Sequence, residues 1–194
     1  MGGAEGAGAE TRAGAGSGVG AGVGAGAGAE AGAGERGERH WRGLEALYAR
    51  APCQGQHGHK IRIEREGEAE CSGEVRPEFF HAAGALHGSS CWKMLDDAAF
   101  FAAQSLVKTD FVGTVSFSCN ILRPVTKAGS QLIAYGRVVN RSKTLITCES
   151  SLYNLVGPGA QKKLVAHGQG TFMRMTFPLK DLEAYREVAL SAKL

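Results

Sequence analysis

The sequence lacks the features that mark membrane and nucleic-acid-binding proteins. No apolar run reaches the roughly 18 residues that a membrane-spanning helix needs. The charges nearly balance, because 22 Lys and Arg against 19 Asp and Glu leave a net charge of +3. The basic residues are scattered, without a cluster or interleaved aromatic side chains. We therefore expect neither a membrane nor a nucleic acid as a partner.

The cysteines show no pattern of a disulfide framework. There are five, an odd number, and no two of them form a Cys-x-x-Cys pair: Cys53, Cys71, Cys91, Cys119 and Cys148. Scattered thiols of this kind are typical of proteins in a reducing compartment. We therefore expect a cytoplasmic protein.

The stretch Cys53-x-x-x-His57-x-His59 is superficially similar to a metal motif. Three ligands so close together, without a fourth or a matching partner motif, indicate an ordinary polar loop rather than a metal site. We predict that the protein needs no metal and no redox cofactor.

The first 39 residues lack large side chains. They consist mostly of Gly and Ala and hold about half of the chain's 29 glycines. Such a segment has little surface to bury and a high ordering entropy, which predicts a disordered low-complexity tail over residues 1–39. It also lacks the features of a secretory signal or an organelle transit peptide. The predicted folded domain covers residues 40–194.

Hydrophobic periodicity in this domain predicts six strands and one long central helix, with a shorter helix at each end. The central helix covers Gly88 to Val107 and is apolar nearly all round, so other structure should enclose it. The predicted strands are Lys60–Arg65, Ala69–Val75, Val112–Val125, Gln131–Val139, Thr144–Val156 and Leu164–Phe177, and the end helices are Trp41–Arg50 and Leu179–Ala189.

Short turns between the last four strands predict antiparallel hairpins. One antiparallel sheet wrapped around one apolar helix buries both faces economically, which is an α+β fold. One sheet edge should stay open, and a strand-to-strand dimer would cover it.

Two adjacent carboxylates stand in the middle of the central helix. Asp96 and Asp97 lie about 100° apart on a helix, so only one of them can face a given pocket. Lys93 precedes Asp97 by four residues and can pair with it, whereas Trp92 and Phe100 hold the same spacing from Asp96. A desolvated carboxylate without a counter-ion has a raised pKa and is a useful base. We therefore favour Asp96 as the general base or nucleophile, with Asp97 as the alternative.

The start of the same helix is a candidate for binding negative charge. Gly88 stands at the predicted helix N-terminus, where backbone N–H groups have no partner within the helix. Such donors stabilise an oxyanion, and removing one costs about 100-fold or more in rate. The alternative is a glycine required only by the turn.

Several motifs fall in the order typical of one family. Gly84, the pair His87-Gly88 and an acid nine residues after the histidine, Asp96, match its helix motif. The small residues Ala98 and Ala102 follow the acid, as in that family. Two later segments match the family's strands, Leu122–Val125 and Leu164–Phe172. Over Ile61 to Met175 the chain therefore resembles the hotdog-fold thioesterases of the PaaI-like group. It departs from their pattern at His81, Ser89 and Met94, which replace an asparagine, a glycine and a leucine.

This resemblance implies hydrolysis of an acyl-CoA thioester to a free acid and coenzyme A. Asp96 would activate water as a general base or attack as a nucleophile, and the Gly88 N–H would hold the oxyanion. The pocket would form between two subunits, in a homodimer or a dimer of dimers. The rival interpretation is a non-catalytic hotdog domain that binds acyl-CoA or a protein, which the departures at His81 and Ser89 favour. A hotdog dehydratase fits the motif poorly.

Three further residues are candidates for the catalytic site. His87 is either a base or a cap of the turn, and His81 either replaces the asparagine in orienting water or the thioester carbonyl, or is structural. By its family position, Thr114 would come from the neighbouring subunit and orient water; alternatively it is an ordinary strand residue.

Three residues are candidates for contacting coenzyme A. Ser89 fills the family's second glycine position beside Gly88. Arg141 and Lys143 lie in a predicted hairpin turn and could contact its phosphates, although cations exposed in turns are usually only solvated.

Overall fold

A computed structural model describes residues 26–156 and 161–191 of the chain, with side chains described from residue 34 onward. The helices are α1 (Gly26–Ala49), α2 (Gln54–His57) and α3 (Gly88–Ser105), with a 3-10 turn at Pro77–Phe79. The strands are β1 (Lys60–Arg65), β2 (Glu68–Glu74), β3 (Asp110–Ile121), β4 (Gln131–Arg141), β5 (Leu145–Val156) and β6 (Gln161–Pro178). Within this described part, no helix combines the length and hydrophobicity needed to cross a bilayer.

The six strands form one antiparallel sheet in the order β1-β2-β4-β5-β6-β3, and α3 packs on one face of it. The helix can lie close to the sheet because small residues face it. A Cβ atom placed on Gly136 of β4 would stand 2.2 Å from the carbonyl oxygen of Ala98. Met94, Leu95, Leu152 and Phe172 are fully buried in the core. The predicted α+β fold, a sheet wrapped around one long helix, is therefore confirmed.

The predicted hairpins are only partly correct. β4 pairs with β5 and β5 with β6, but β3 pairs with β6 at the sheet edge instead of with β4. The β6 glycines explain the pairing, because a Cβ on Gly168 or Gly170 would come within 3 Å of the Phe117 ring of β3. Residues 122–130 therefore cross from the sheet edge to its middle.

Helix α1 begins at Gly26 and so extends back into the segment 1–39 that is predicted to be a disordered tail. Glycine, a poor helix former, is at least as frequent as alanine in this first part of α1, so its helical conformation depends on the other end of the helix, which is anchored by packing. That anchor includes Leu44 and Tyr48, which are buried, and His40, whose ring bonds the Tyr185 hydroxyl at 2.7 Å. Residues 1–25 of the predicted tail lie outside the described residues.

The predicted C-terminal helix is broken into short pieces. We call residues 179–191 the C-terminal arm: it contains a 3-10 turn (Leu179–Asp181), a helical turn (Glu183–Tyr185) and a π-helical turn (Arg186–Leu190). Leu182, between the first two pieces, has an extended backbone that interrupts the helix. This break allows both Leu179 and Tyr185 to be buried against the rest of the chain.

Candidate active site

Asp96 lies in the middle of α3 and faces β3. The Thr114 hydroxyl donates a hydrogen bond to its Oδ1 at 3.2 Å. This contact lies within one chain, whereas the resemblance implies that Thr114 would act at the site of a neighbouring subunit. The two elements meet here because α3 lies across the middle strands of the sheet and also contacts β3 at its edge.

The environment of Asp96 makes its carboxylate a base near neutral pH. Burial raises the pKa of Asp96 to about 6, and the negative charge of Asp97 adds to this effect. The Thr114 hydrogen bond and the Lys93 ammonium act in the opposite direction and lower this pKa. The group is therefore ionised at pH 7 while it keeps more affinity for a proton than an ordinary aspartate.

Asp97 has a different environment from its neighbour. Its Oδ2 accepts hydrogen bonds of 2.6 Å from both the Lys93 ammonium and the Tyr48 hydroxyl. The Lys93–Asp97 pair is the one that the four-residue spacing predicts. The Tyr48 contact was not predictable, because this residue stands 49 positions away on another helix. Asp97 is thus occupied by partners, which makes it the weaker candidate for a catalytic base.

A cavity of about 580 Å³ opens beside Asp96 and Thr114. Its walls are mostly apolar and come from α1, α3, β3, the end of β6 and the C-terminal arm. The large apolar side chains among them are Leu47, Phe100, Phe101, Phe111, Phe177 and Leu182. A carboxylate with a raised pKa at the edge of an apolar cavity is typical of an active site.

The first turn of α3 has one free amide. The side chain of the N-cap residue His87 accepts a hydrogen bond from the Ser89 N–H through Nδ1 at 3.1 Å, and its carbonyl oxygen accepts one from the Ser90 N–H. The Gly88 N–H has no acceptor among the described residues. His87 therefore acts as the helix cap, while Gly88 retains the donor that an oxyanion requires.

His81 and Gly88 line a second, smaller groove of about 310 Å³, together with Ile121 at the end of β3. The His81 ring accepts a hydrogen bond from the Ala83 N–H through Nδ1 at 3.1 Å. The other ring nitrogen of His81, Nε2, does not take part in this hydrogen bond and can bond another group. Ser89 is exposed, and its hydroxyl bonds His87 Nδ1 at 2.7 Å.

Gly88 and Asp96 do not meet within one chain. They are eight residues apart on the same helix, which corresponds to about 12 Å along its axis. They also line different cavities. A carbonyl carbon attacked near Asp96 is therefore out of reach of the Gly88 N–H of the same protomer.

Arg141 and Lys143 lie at the opposite end of the sheet from Gly88. The hairpin that contains them is fixed beside Arg174, whose N–H donates to the Thr144 carbonyl oxygen at 3.0 Å. Both side chains are exposed. A single chain does not bring them to the other candidate site residues.

The described residues contain one cluster of metal-ligating types, formed by His59, Cys71 and Asp97 with ligand atoms within 4.8 Å of one another. Of the sequence motif, His59 joins this cluster, whereas Cys53 is exposed. The Lys93 ammonium already supplies positive charge to Asp97 at 2.6 Å. Burial lowers the pKa of His59 to about 4, so its ring is neutral at physiological pH.

Comparison with known proteins defines the class of this site. Residues 83–159 match the family model of the thioesterase superfamily. The structure is similar to Escherichia coli PaaI, a protein from the phenylacetic acid degradation operon, with a TM-score of 0.64 and 22% identity over 73% of this chain and 97% of that chain. The sheet and enclosed helix are therefore a hotdog fold. None of the curated proteins compared with the chain matches it.

Two further solved structures are similar. A variant of the phenylacetic acid degradation protein PaaI from Thermus thermophilus has a TM-score of 0.55 and 27% identity, over 64% of this chain and 99% of that chain. A Streptococcus mutans protein bound to acetyl CoA has a TM-score of 0.53 and 20% identity, over 60% and 88% of the two chains. Residues 83–159 thus match the thioesterase superfamily model, and the fold of the chain is similar to that of PaaI-like hotdog proteins.

Proposed function

We propose that the protein hydrolyses acyl-CoA thioesters to a free acid and coenzyme A. The observation that carries this proposal is Asp96, a carboxylate with a pKa of about 6 beside an apolar cavity, next to an aspartate whose charge Lys93 balances. The match of residues 83–159 to the thioesterase superfamily model supports thioester chemistry. The similar Streptococcus mutans protein bound to acetyl CoA supports coenzyme A as the thiol.

The proposed reaction uses Asp96 as a general base. Its carboxylate takes a proton from a water molecule while the water oxygen bonds to the thioester carbonyl carbon. The Gly88 N–H donates to the carbonyl oxygen as that oxygen becomes negative. When the tetrahedral intermediate collapses, the carbon–sulfur bond breaks and Asp96 returns its proton to the coenzyme A sulfur. A direct attack by Asp96 would use the same geometry and pass through an anhydride.

The active site is proposed to form between two protomers, because Gly88 and Asp96 of one chain are too far apart. The open edge of the sheet supports this arrangement, since β3 has only β6 as a neighbour and exposes Val115 and Ile121, and Leu122 directly after it is also exposed. Pairing this edge with a second copy would cover the apolar side chains. We propose a homodimer, alone or as half of a dimer of dimers.

The five cysteines are all free thiols. This supports the proposal of a reducing, cytoplasmic location.

The exchange of each aspartate for asparagine tests the proposal. Asp96→Asn should lower kcat for a panel of acyl-CoA esters by about 100- to 10,000-fold, the usual contribution of a general base. Asp97→Asn should lower it by much less, because Asp97 is already bonded to Lys93 and Tyr48. The proposal fails if Asp97→Asn abolishes turnover while Asp96→Asn keeps it.

A non-catalytic hotdog domain is the second candidate. The departures at His81 and Ser89 favour it, because His81 Nδ1 is engaged with the backbone and the Ser89 hydroxyl with His87. Calorimetric titration of acyl-CoA esters beside the hydrolysis assay separates the two functions. Tight binding without release of free thiol would establish the binding domain.

A further inference from the structure

One wall of the apolar cavity beside Asp96 comes from the C-terminal arm. Leu182 and Ala184 of the arm line the cavity opposite residues contributed by α1, α3 and β3. The extended backbone of Leu182 separates the two helical turns of the arm. The residues from Leu182 to Ala184 therefore line the cavity as a bent segment and not as part of a continuous helix. The dimensions of the cavity therefore depend on a segment that lies outside the sheet and its central helix.

The arm is held firmly on both sides of this wall. Leu179 is fully buried, and its N–H donates to the Thr109 carbonyl oxygen at 2.9 Å. Tyr185 is buried and bonds His40 of α1 at 2.7 Å. A wall fixed at both ends can set a limit on the length of what the cavity holds.

The charged groups in the cavity lining already have partners. Lys93 pairs with Asp97, which also bonds Tyr48, and Arg50 pairs with Glu187 of the arm. Among the described residues, the catalytic carboxylate is the only charged lining group without a partner of opposite charge. A polar or ionised group carried deep into this cavity would therefore lose its hydration without gaining a free counter-charge.

We propose that this cavity holds the acyl group of the thioester, that it selects acyl groups whose distal end is apolar, and that Leu182 and Ala184 limit their length. This inference rests on the proposed thioesterase function. The arm residues are specificity-determining and take no part in the bond-breaking step.

The test is a kcat/KM series with straight-chain acyl-CoA esters from butanoyl to hexadecanoyl. For the unmodified protein, kcat/KM should rise about fourfold per added methylene until the cavity is filled, and then fall. Ala184→Leu should lower kcat/KM for the longest accepted ester at least tenfold and affect butanoyl-CoA far less. Leu182→Ala should move the optimum to longer esters. Leu190→Ala, an exposed arm residue outside the cavity lining, is the matched control and should leave the profile unchanged.

A comparison of hexanoyl-CoA with adipoyl-CoA tests the selection against a charged end. The adipoyl ester has the same number of acyl carbons but ends in a carboxylate, and its kcat/KM should be at least about 100-fold lower. Equal rates for the two esters, or length profiles that neither arm variant changes, would overturn the inference while hydrolysis itself stands.

The inference can also be tested without turnover. If the unmodified protein hydrolyses none of the esters, the proposed function fails, and Kd values from calorimetry then decide the question of the cavity. The same dependence on length and on Ala184→Leu in those Kd values would support the inference, and its absence would contradict it. Thermal unfolding of each variant identifies a folding defect. If Ala184→Leu does not fold, the change in length preference of Leu182→Ala decides the question.

Discussion

At the scale of single residues, two adjacent aspartates have opposite environments. One turn of helix separates Lys93 from Asp97, and their pairing gives Asp97 a partner at 2.6 Å. Asp96 points toward β3 and the apolar cavity, where burial raises its pKa to about 6. The raised pKa makes Asp96 the better proton acceptor, whereas Asp97 keeps an ordinary structural role. A rotation of about 100° around one helix thus separates a carboxylate with a raised pKa from one that is paired with a lysine.

The pH dependence of the reaction should report on Asp96 and respond to Thr114. Since the base must be ionised, kcat/KM should fall about tenfold per pH unit below pH 6. The Thr114 hydrogen bond favours the ionised form, so Thr114→Val should raise the pKa of Asp96 and move the inflection to higher pH. We expect a change of about half to one pH unit, because such a bond contributes about 1 kcal/mol at a partly exposed site.

Thr114→Ser is the matched control for this prediction. It keeps the hydroxyl, so its inflection should stay near that of the unmodified protein. An inflection that stays in place in Thr114→Val, or moves to lower pH, would show that the hydrogen bond does not act on the base. The measurement is kcat/KM over pH 4.5–9 with one ester.

At the scale of elements, small residues set the distance between α3 and the sheet. The Gly136 position in β4 meets the backbone of Ala98 and Ala99 directly, since a Cβ atom added to this glycine would stand 2.2 Å from the Ala98 carbonyl oxygen. A real side chain there would push the helix off the sheet and displace Asp96, which lies two residues before Ala98. The close packing of α3 on Gly136 therefore helps to determine the position of Asp96.

Gly136→Ala should consequently destabilise the fold by more than about 2 kcal/mol, since overpacking a core against backbone atoms costs about 1–3 kcal/mol or more. Gly55→Ala is the control, because no heavy atom lies within 4 Å of its Cβ position, and it should change stability by less than about 0.5 kcal/mol. Denaturant unfolding of the two variants measures the difference. Similar midpoints for both would contradict the close contact.

The sequence was a good guide to elements whose periodicity is local. The strands and the central helix follow from alternation and from the nearly continuous apolar run at Gly88–Ser105. The partner of β3 could not be predicted, because it depends on the Phe117 ring packing over β6 glycines about 50 residues away. Tyr48 at Asp97 and the arm at the cavity were missed for the same reason. Contacts between distant segments leave no periodic signal.

At the scale of the whole molecule, the fold places the two groups of the proposed active site apart from each other. The free Gly88 N–H opens on a groove at one end of α3, and Asp96 opens on the apolar cavity about 12 Å along the same helix. In the proposed twofold dimer the helix of one protomer would lie beside that of the other, and each site would use the amide of one chain and the carboxylate of its partner. Such an arrangement is testable by mixing two inactive chains.

Gly88→Pro removes the oxyanion donor with little disturbance of the helix. Gly88 is the first helical residue, where proline is favoured, and His87 before it already has an extended backbone with ψ of 141°. A Cβ there would meet only the end of the exposed Ile121 side chain, at 2.9 Å. Gly88→Ala keeps the N–H and should lose far less activity than Gly88→Pro.

A heterodimer of Gly88→Pro and Asp96→Asn chains should recover activity that neither parent has. One of its two sites would carry both defects and the other neither, so the purified heterodimer should reach about half of the wild-type kcat per dimer. Co-expression with two different affinity tags isolates this species, and sedimentation velocity establishes whether it is a dimer or a dimer of dimers. If the heterodimer is as inactive as its parents, both groups act within one protomer, and the separation of about 12 Å could close only by a break or sharp bend within α3.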